Sequence, residues 1–244
     1  MSHPAYWETV QTVNGPMVCN RYDTAQTPFY RIKKEAINHE ELLRLCAMLG
    51  QIDEPFSVID GGAHVGTWPM YLKSLTNLHQ LHCFEPVPEF YEMLCETLAL
   101  NGLEHRVLAH PLALSDTHGR ISVPNFDWTK PTNFGGVELG DEQKEFIGQH
   151  RLQSERVAET FQIDELLGLE SPVRGLMAPV RFIKLDVEGM EINALRGAVK
   201  TIERDRPILF VEFIKSNQQE LLDFFAQHNY RVDRWHTDFL CLPN

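Results

Sequence analysis

The 244 residues contain no Cys-x-x-Cys pair, no run of lysine and arginine, no Gly-Lys-Ser/Thr and no long apolar stretch. Each absence excludes something. The five cysteines, Cys19, Cys46, Cys83, Cys95 and Cys241, are odd in number and scattered. They make neither a disulfide framework nor a zinc ribbon, and fit reduced, mostly buried thiols in a cytoplasmic protein. Lys plus Arg number 22 against 34 Asp plus Glu, for a formal charge of −12. Such a chain has no general attraction for phosphate backbones or anionic membranes, so neither a nucleic acid nor a membrane is expected as partner. No segment approaches the roughly 20 apolar residues of a membrane span. Met1 to Trp7 lacks the basic and apolar regions of a secretory leader. Without a Gly-Lys-Ser/Thr there is no P-loop.

What is present is ordinary globular material. Hydrophobic residues make up 43% of the chain and charged residues 23%, enough to bury one sizeable core. Asn14-Gly15-Pro16 signals a turn, with a strand expected from Met17 to Tyr22. Asn38 and Glu41 resemble a capping box opening a helix that carries Leu42, Leu45, Cys46 and Leu49 and stops at Gly50. Residues 1–50 are expected to form an N-terminal extension with a helix, part of the same domain as 51–244.

From Phe56 onward short apolar runs alternate with helical patterns. Strands are expected at Phe56–Ile59, Leu81–Phe84, Val107–Leu114, Val180–Leu185 and Ile208–Val211. Helices are expected at Val65–Leu75, around Phe90–Leu98, along Ile192–Ile202 and at Leu221–Phe225. Two terminal strands, near Tyr230–Arg234 and Asp238–Leu242, lie too close together for a crossover and should pair antiparallel. This grammar is that of an α/β fold with a mostly parallel sheet covered on both faces. Residues 116–174 break the alternation and read as an insertion folded over one end of the sheet.

Ligands of open α/β sheets bind beyond the carboxyl ends of the strands. Those ends carry Asp60, Glu85, Asp186 and Glu212. The turn Asp60-Gly61-Gly62-Ala63-His64-Val65-Gly66 follows the first core strand, where glycines let backbone and helix N–H groups approach a ligand. Glu85, at the end of the next strand, suits two ribose hydroxyls. The dinucleotide pattern G-x-G-x-x-G is not met: Ala63 and His64 stand where its second glycine belongs. A ribose-bearing cofactor without a pyrophosphate therefore fits better than NAD.

Val58-Ile59-Asp60-Gly61-Gly62-Ala63-His64-Val65-Gly66, Phe84-Glu85-Pro86, Ala113-Leu114-Ser115-Asp116 and Lys184-Leu185-Asp186-Val187-Glu188-Gly189-Met190-Glu191 resemble the successive motifs of the FkbM-type methyltransferases. Asn133-Phe134-Gly135-Gly136 and Thr160 to Leu167 match further segments in order, so the resemblance runs from about Ser57 to Phe213. It implies a Rossmann-like class I methyltransferase fold, with a seven-stranded sheet whose terminal strand is antiparallel, and S-adenosylmethionine as cofactor. It implies that Asp60, Gly62 and Gly66 cradle the methionine part, that Glu85 takes the ribose, and that Ser115 and Asp116 lie near the adenine. Gly61, Ala63, Thr67, Pro86 and Asp186 join the same cofactor set. The family usually has Asn where this chain has His64, so His64 is expected to be an Asn-like hydrogen-bonding substitute, with a catalytic histidine as the less favoured alternative.

Methyl transfer is an in-line displacement that needs an aligned acceptor and, for an alcohol, a proton acceptor. Asp186 is the first candidate for that role and Glu188 the second, although Glu188 also suits a helix cap. Glu212 is expected to complete the acceptor pocket or to pair with an arginine such as Arg181. Glu191 is expected to be solvated or to complement a helix dipole. Asn133 should belong to a covering loop, and Trp128 and His236 are weaker candidates for the pocket wall. Oxygen ligands of this kind suit Mg²⁺, but no spacing signature marks a site and a metal is not favoured. The leading reading is O-methylation of a hydroxyl on a sugar, a glycan or a natural product. N-methylation of an amine or amide is the variant. A catalytically silent module that keeps the fold is the reading from a different class.

Overall fold

The computed structural model describes residues 4–135, 156–168, 176 and 178–244. Gly136 and two stretches of the expected insertion, 136–155 and 169–174, lie outside the described residues. The chain opens with a hairpin of β1 (Trp7–Thr12) and β2 (Gly15–Asn20), then α1 (Gln26–Ile32) and α2 (His39–Leu49). The alternating body follows: β3 (Phe56–Gly61), α3 (Thr67–Leu72), β4 (Leu78–Phe84), α4 (Pro88–Leu100) and β5 (Val107–His110). Three short strands come next, β6 (Ala113–Leu114), β7 (Arg120–Val123) and β8 (Arg156–Phe161), with a 3₁₀ turn at Ile163–Leu167. The chain closes with β9 (Val180–Leu185), α5 (Glu191–Arg196), α6 (Val199–Asp205), β10 (Ile208–Glu212), α7 (Gln218–Gln227), β11 (Tyr230–Trp235) and β12 (Asp238–Pro243).

The central sheet has the order β11-β12-β10-β9-β3-β4-β5. β12 runs antiparallel to both its neighbours, and the other described pairings in this sheet are parallel. The Rossmann-like sheet with its antiparallel last strand is therefore as the sequence led us to expect. Side chains alternate between two buried layers, because successive residues of a strand point to opposite faces. Val58, Phe182 and Phe210 belong to one core, with α2, α3, α4 and the hairpin. Ile59, Ile183, Leu209 and Val211 belong to the other, with α5, α6 and α7. Both faces being covered explains why these strands read as continuous apolar runs. Among the described residues no helix is long and apolar enough to cross a membrane.

Four local expectations need correction. The run Val107–Leu114 is two strands, not one. Pro111 cannot donate to a ladder, and beyond it β6 leaves the main sheet to pair with β8. The stripe Ile192–Ile202 is two helices, broken at Gly197-Ala198. Gly197 lies against the backbone of Ser115, whose carbonyl oxygen is 2.0 Å from where a Cβ would stand. The helix expected over Val65–Leu75 is confined to Thr67–Leu72, because Gly66 takes a left-handed conformation before it. Asn38 holds the N-cap position of α2, but its side chain makes no capping bond.

The extension is packed into the body. Val18 N–H donates to Thr97 Oγ1 on α4 at 3.0 Å, and Asn101 Nδ2 donates to Pro16 O at 2.8 Å. Its end is also tied to the segment after β7: Thr24 N–H donates to Thr132 O, Thr132 N–H to Tyr22 O, and Asn20 Nδ2 to Trp128 O.

Candidate active site

A cavity of about 320 Å³ opens at the carboxyl ends of β3, β4 and β9. That volume is in the range of small-molecule sites. Its floor is the turn after β3. Gly62 has φ +74°, and a Cβ there would stand 1.8 Å from the carbonyl oxygen of Asp186. Only glycine fits, and the reason is the neighbouring chain rather than the ligand. The turn's first N–H groups are also spent internally, contrary to the expectation that they face a ligand. Gly62 and Ala63 both donate to Phe84 O, at 2.9 and 3.0 Å.

Beneath the turn lies a residue whose role the sequence reading missed. Asp60 and Lys184 are register partners on adjacent parallel strands, so their side chains share a face. Lys184 Nζ stands 3.1 Å from Asp60 Oδ1 and donates to the carbonyls of Gly61 at 2.9 Å and Gly62 at 2.7 Å. Burial disfavours the ammonium, but Asp60, Asp186 and Glu85 more than offset this and hold Lys184 above the ordinary lysine pKa. The signal was a lone lysine inside the apolar run Val180–Leu185. Asp60 is wholly buried beneath the cavity and outside its wall, as is Gly61. Gly66, at φ +96°, caps the turn against Leu94 and is not in the wall either.

Glu85 lies in the wall, with Oε2 accepting from His64 N–H at 2.8 Å and Oε1 from Val87 N–H at 2.9 Å. Burial pushes its carboxyl up to about 7, against the pull of those two bonds. His64 itself sits at φ +51°, a region that non-glycine residues seldom enter. Its ring packs on Phe90 at 4.0 Å and lines the cavity. Its Nε2 is buried without a hydrogen-bond partner. The Asn-like hydrogen bond expected of that nitrogen is thus not made within the protein.

Ala63, Thr67, Pro86, Asn133, Gly135, Asp186 and Glu188 line the cavity as well. Thr67 Oγ1 is 2.5 Å from the hydroxyl of the buried Tyr30. Glu188 is ion-paired with Lys215 and has φ +61°. It does not cap α5, whose N-cap position is Met190. Contrary to the expectation of a solvated acid, Glu191 is wholly buried. Its Oε1 accepts from Val187 N–H at 2.9 Å and Gly189 N–H at 3.3 Å, and its other oxygen from the Ser216 hydroxyl. It braces the loop that carries Asp186 and Glu188.

Other expected residues stand elsewhere. Ser115 and Asp116 are absent from the cavity wall, which Leu112, Ala113 and Leu114 form on that side. Asp116 accepts instead from Asn193 Nδ2 at 3.4 Å. Glu212 is outside the wall and does not meet Arg181, which donates to Glu54 at 2.8 Å. Glu212 faces Asp238 across the antiparallel pair of β10 and β12. Burial, with Asp186, Glu191 and Asp238 nearby, pushes the Glu212 carboxyl up to about 9. Trp128 is core: it stacks on Phe134 at 4.9 Å and meets Phe90 edge-on at 5.2 Å. His236 is exposed in the β11–β12 turn, 3.5 Å from Glu41. Conversely, Asp23, Ala25, Gln26, Ile37 and Asn38 of the extension line the cavity.

The wall suits a cofactor with adenosine and amino-acid parts. Phe84, Pro86, Leu112 and Leu114 supply an apolar slot next to the Glu85 carboxylate, and the Gly62–His64 turn closes one side. A family model for the methyltransferase FkbM domain matches residues 60–232. The chain belongs to the FkbM methyltransferase family. It is an S-adenosylmethionine-dependent methyltransferase, as the resemblance implied. Methyltransferase sdnD of Sordaria araneosa is 25% identical over 184 residues, 68% of this chain and 70% of that protein. Methyltransferase 1 of Beauveria bassiana is 21% identical over 173 residues, 70% of this chain and 69% of that protein. Among solved structures, an FkbM methyltransferase from Methylobacillus flagellatus superposes with a TM-score of 0.52 at 19% identity. It covers 77% of this chain, which in turn spans 43% of that protein. The FkbM fold is thereby supported.

Proposed function

We propose that this FkbM methyltransferase methylates a hydroxyl of a neutral small molecule, a sugar, a glycan or a natural product. The observation that carries the reading is the charge of the outer wall. Asp23, Gln26, Asn38, Asn133 and Asp186 border it, and the cation in the described wall, Lys184, is already engaged by Asp60 and two carbonyls. Such a wall repels phosphate and carboxylate and offers hydrogen bonds to hydroxyls.

When bound, S-adenosylmethionine supplies a methyl group on a positively charged sulfur. Glu85 holds the ribose hydroxyls, its position fixed by the N–H groups of His64 and Val87. Gly62, Ala63 and Thr67 bound the amino-acid part, and Lys184 keeps that turn rigid from below. Asp186, braced through the loop that Glu191 ties down, orients the acceptor. Glu188, neutralised by Lys215, shapes the wall.

The test is two-step. Titration calorimetry with S-adenosylhomocysteine should show binding well below about 1 mM, a generous bound for a cofactor site. Labelled methyl transfer is then assayed against methyl glycosides, phenols and amines. Transfer to hydroxyls supports the reading. Transfer to amines alone replaces it with N-methylation, and no binding at all returns the chain to a silent module.

A further inference from the structure

We propose that His64 Nε2 takes the proton from the acceptor hydroxyl, making His64 a catalytic residue of this chain. The inference rests on the O-methylation reading above. Three observations converge on it.

The first is direction. The backbone N–H of His64 is fastened to Glu85, on the ribose side, and the ring packs on Phe90. Nε2 lies 3.8 Å from where a Cβ on Gly135 would stand, so it faces the segment Asn133 to Gly135 that closes the outer wall. The second is availability. Nε2 is buried and has no hydrogen-bond partner in the protein. Leaving a buried nitrogen unpaired is unfavourable, so a site that keeps one is built for something that arrives. The third is the strain that holds it there. His64 lies between Gly62 and Gly66, all three at positive φ. Left-handed backbone at a non-glycine residue is strained and is kept where the side chain must point somewhere particular.

The charged groups around the ring are Asp23 from the extension and Asp186 and Lys184 from β9 and its end. Burial and Lys184 hold the imidazole below its ordinary pKa, and the two carboxylates oppose them. The ring is neutral at pH 7 and Nε2 accepts a proton when Nδ1 carries the other. In the transfer, the acceptor oxygen forms its bond to the methyl carbon as the carbon–sulfur bond breaks, its electron pair staying on sulfur. The hydroxyl proton passes to Nε2 and then to solvent. Asp23 and Asp186 stabilise the imidazolium that forms, which neutral surroundings would not.

The test compares wild type with His64→Asn, a residue that tolerates left-handed backbone. Three readouts are used: S-adenosylhomocysteine affinity, turnover on the methyl glycosides and phenols that the wild type methylates, and an NMR titration of His64 Cε1 in the S-adenosylhomocysteine complex. Affinity should hold within about threefold while turnover falls roughly 10²–10⁴-fold. The wild-type rate should fall on the acid side at the pKa found by NMR, and the variant should lose that limb. Turnover that survives His64→Asn, or a loss of affinity that matches the loss of turnover, overturns the inference alone. If S-adenosylhomocysteine binds but no hydroxyl is methylated by wild type, the O-methylation reading fails and this inference with it.

Discussion

Lys184 reaches from β9 beneath the Gly61–Gly62 turn to Asp60, and one ammonium serves a carboxylate and two carbonyls at once. Breaking a buried ion pair from one side strands the other charge, at roughly 3–5 kcal/mol. Lys184→Met should therefore lower the urea midpoint strongly. Asp60→Asn added to it should recover part of the loss, because no charge is then stranded. A double variant no more stable than the single one would show that the pair contributes nothing beyond packing.

Gly62→Ala should be among the most damaging single changes in the chain. The added Cβ meets the carbonyl oxygen of Asp186, and the backbone is already left-handed. The backbone strain alone costs about 1–2 kcal/mol. Thermal melting should show a clear drop, and S-adenosylhomocysteine binding should be lost with it. A variant that melts like wild type would mean the turn can move away from β9.

Glu85→Gln removes the charge offered to the ribose and keeps one acceptor oxygen, so only one of the His64 and Val87 N–H groups retains its bond and the melting temperature is read alongside affinity. Hydrogen bonds to a charged group are worth about 1.5–3 kcal/mol, or roughly 10- to 150-fold in affinity. The carboxyl sits near 7 because it is buried. Ionisation favours accepting from hydroxyls, so wild-type affinity for S-adenosylhomocysteine should tighten from pH 6 to 8. The Gln variant should show a flat profile; a parallel slope in both proteins would remove Glu85 from the ribose.

The facing carboxyls Glu212 and Asp238 lie at about 9 and about 6, both raised first by burial. A carboxyl whose folded pKa is raised contributes stability that is complete below its unfolded pKa and lost as pH rises through the folded one. The melting temperature should therefore decline from pH 5 to 9. Glu212→Gln should flatten that decline and raise the melting temperature at pH 9, by about 2–4 °C for each kcal/mol recovered. At pH 4 it should change little. A wild-type curve that climbs toward pH 9 would contradict the assignment.

Asp186→Asn and Glu188→Gln should separate cleanly. Asp186 lines the cavity, whereas Glu188 is taken up by Lys215. The first should cut turnover at least about tenfold, the size of one hydrogen bond to a charged group, with cofactor affinity kept. The second should mainly lower stability. Equal losses of turnover would place both carboxylates on the acceptor.

The sheet was legible because buried parallel strands are continuous apolar runs, and their ends, Asp60, Glu85, Asp186 and Glu212, were countable in the sequence. The glycines of the turn were legible as a turn but not for their reason, since the carbonyl that excludes a Cβ at Gly62 comes from residue 186. Lys184, Glu191 and Glu212 were misjudged or missed for one cause: a charged residue's burial is set by what tertiary packing places against it. Glu191 looked like a helix-surface acid, and only the loop folded over it makes it buried. The outer wall was least legible, because Asp23 carries no pattern of its own and Asn38 read only as a helix cap.

The family match begins at residue 60, yet Asp23, Ala25, Gln26, Ile37 and Asn38 line the cavity ahead of it. Chain outside the matched segment thus supplies part of the cavity wall. In the function proposed above, the residues assigned to the methyl donor lie in the matched segment, while Asp23, Gln26 and Asn38 on the acceptor side lie outside it. On that reading, replacing residues 20–38 by the corresponding segment of a relative should change which acceptor is methylated and leave S-adenosylhomocysteine binding in place.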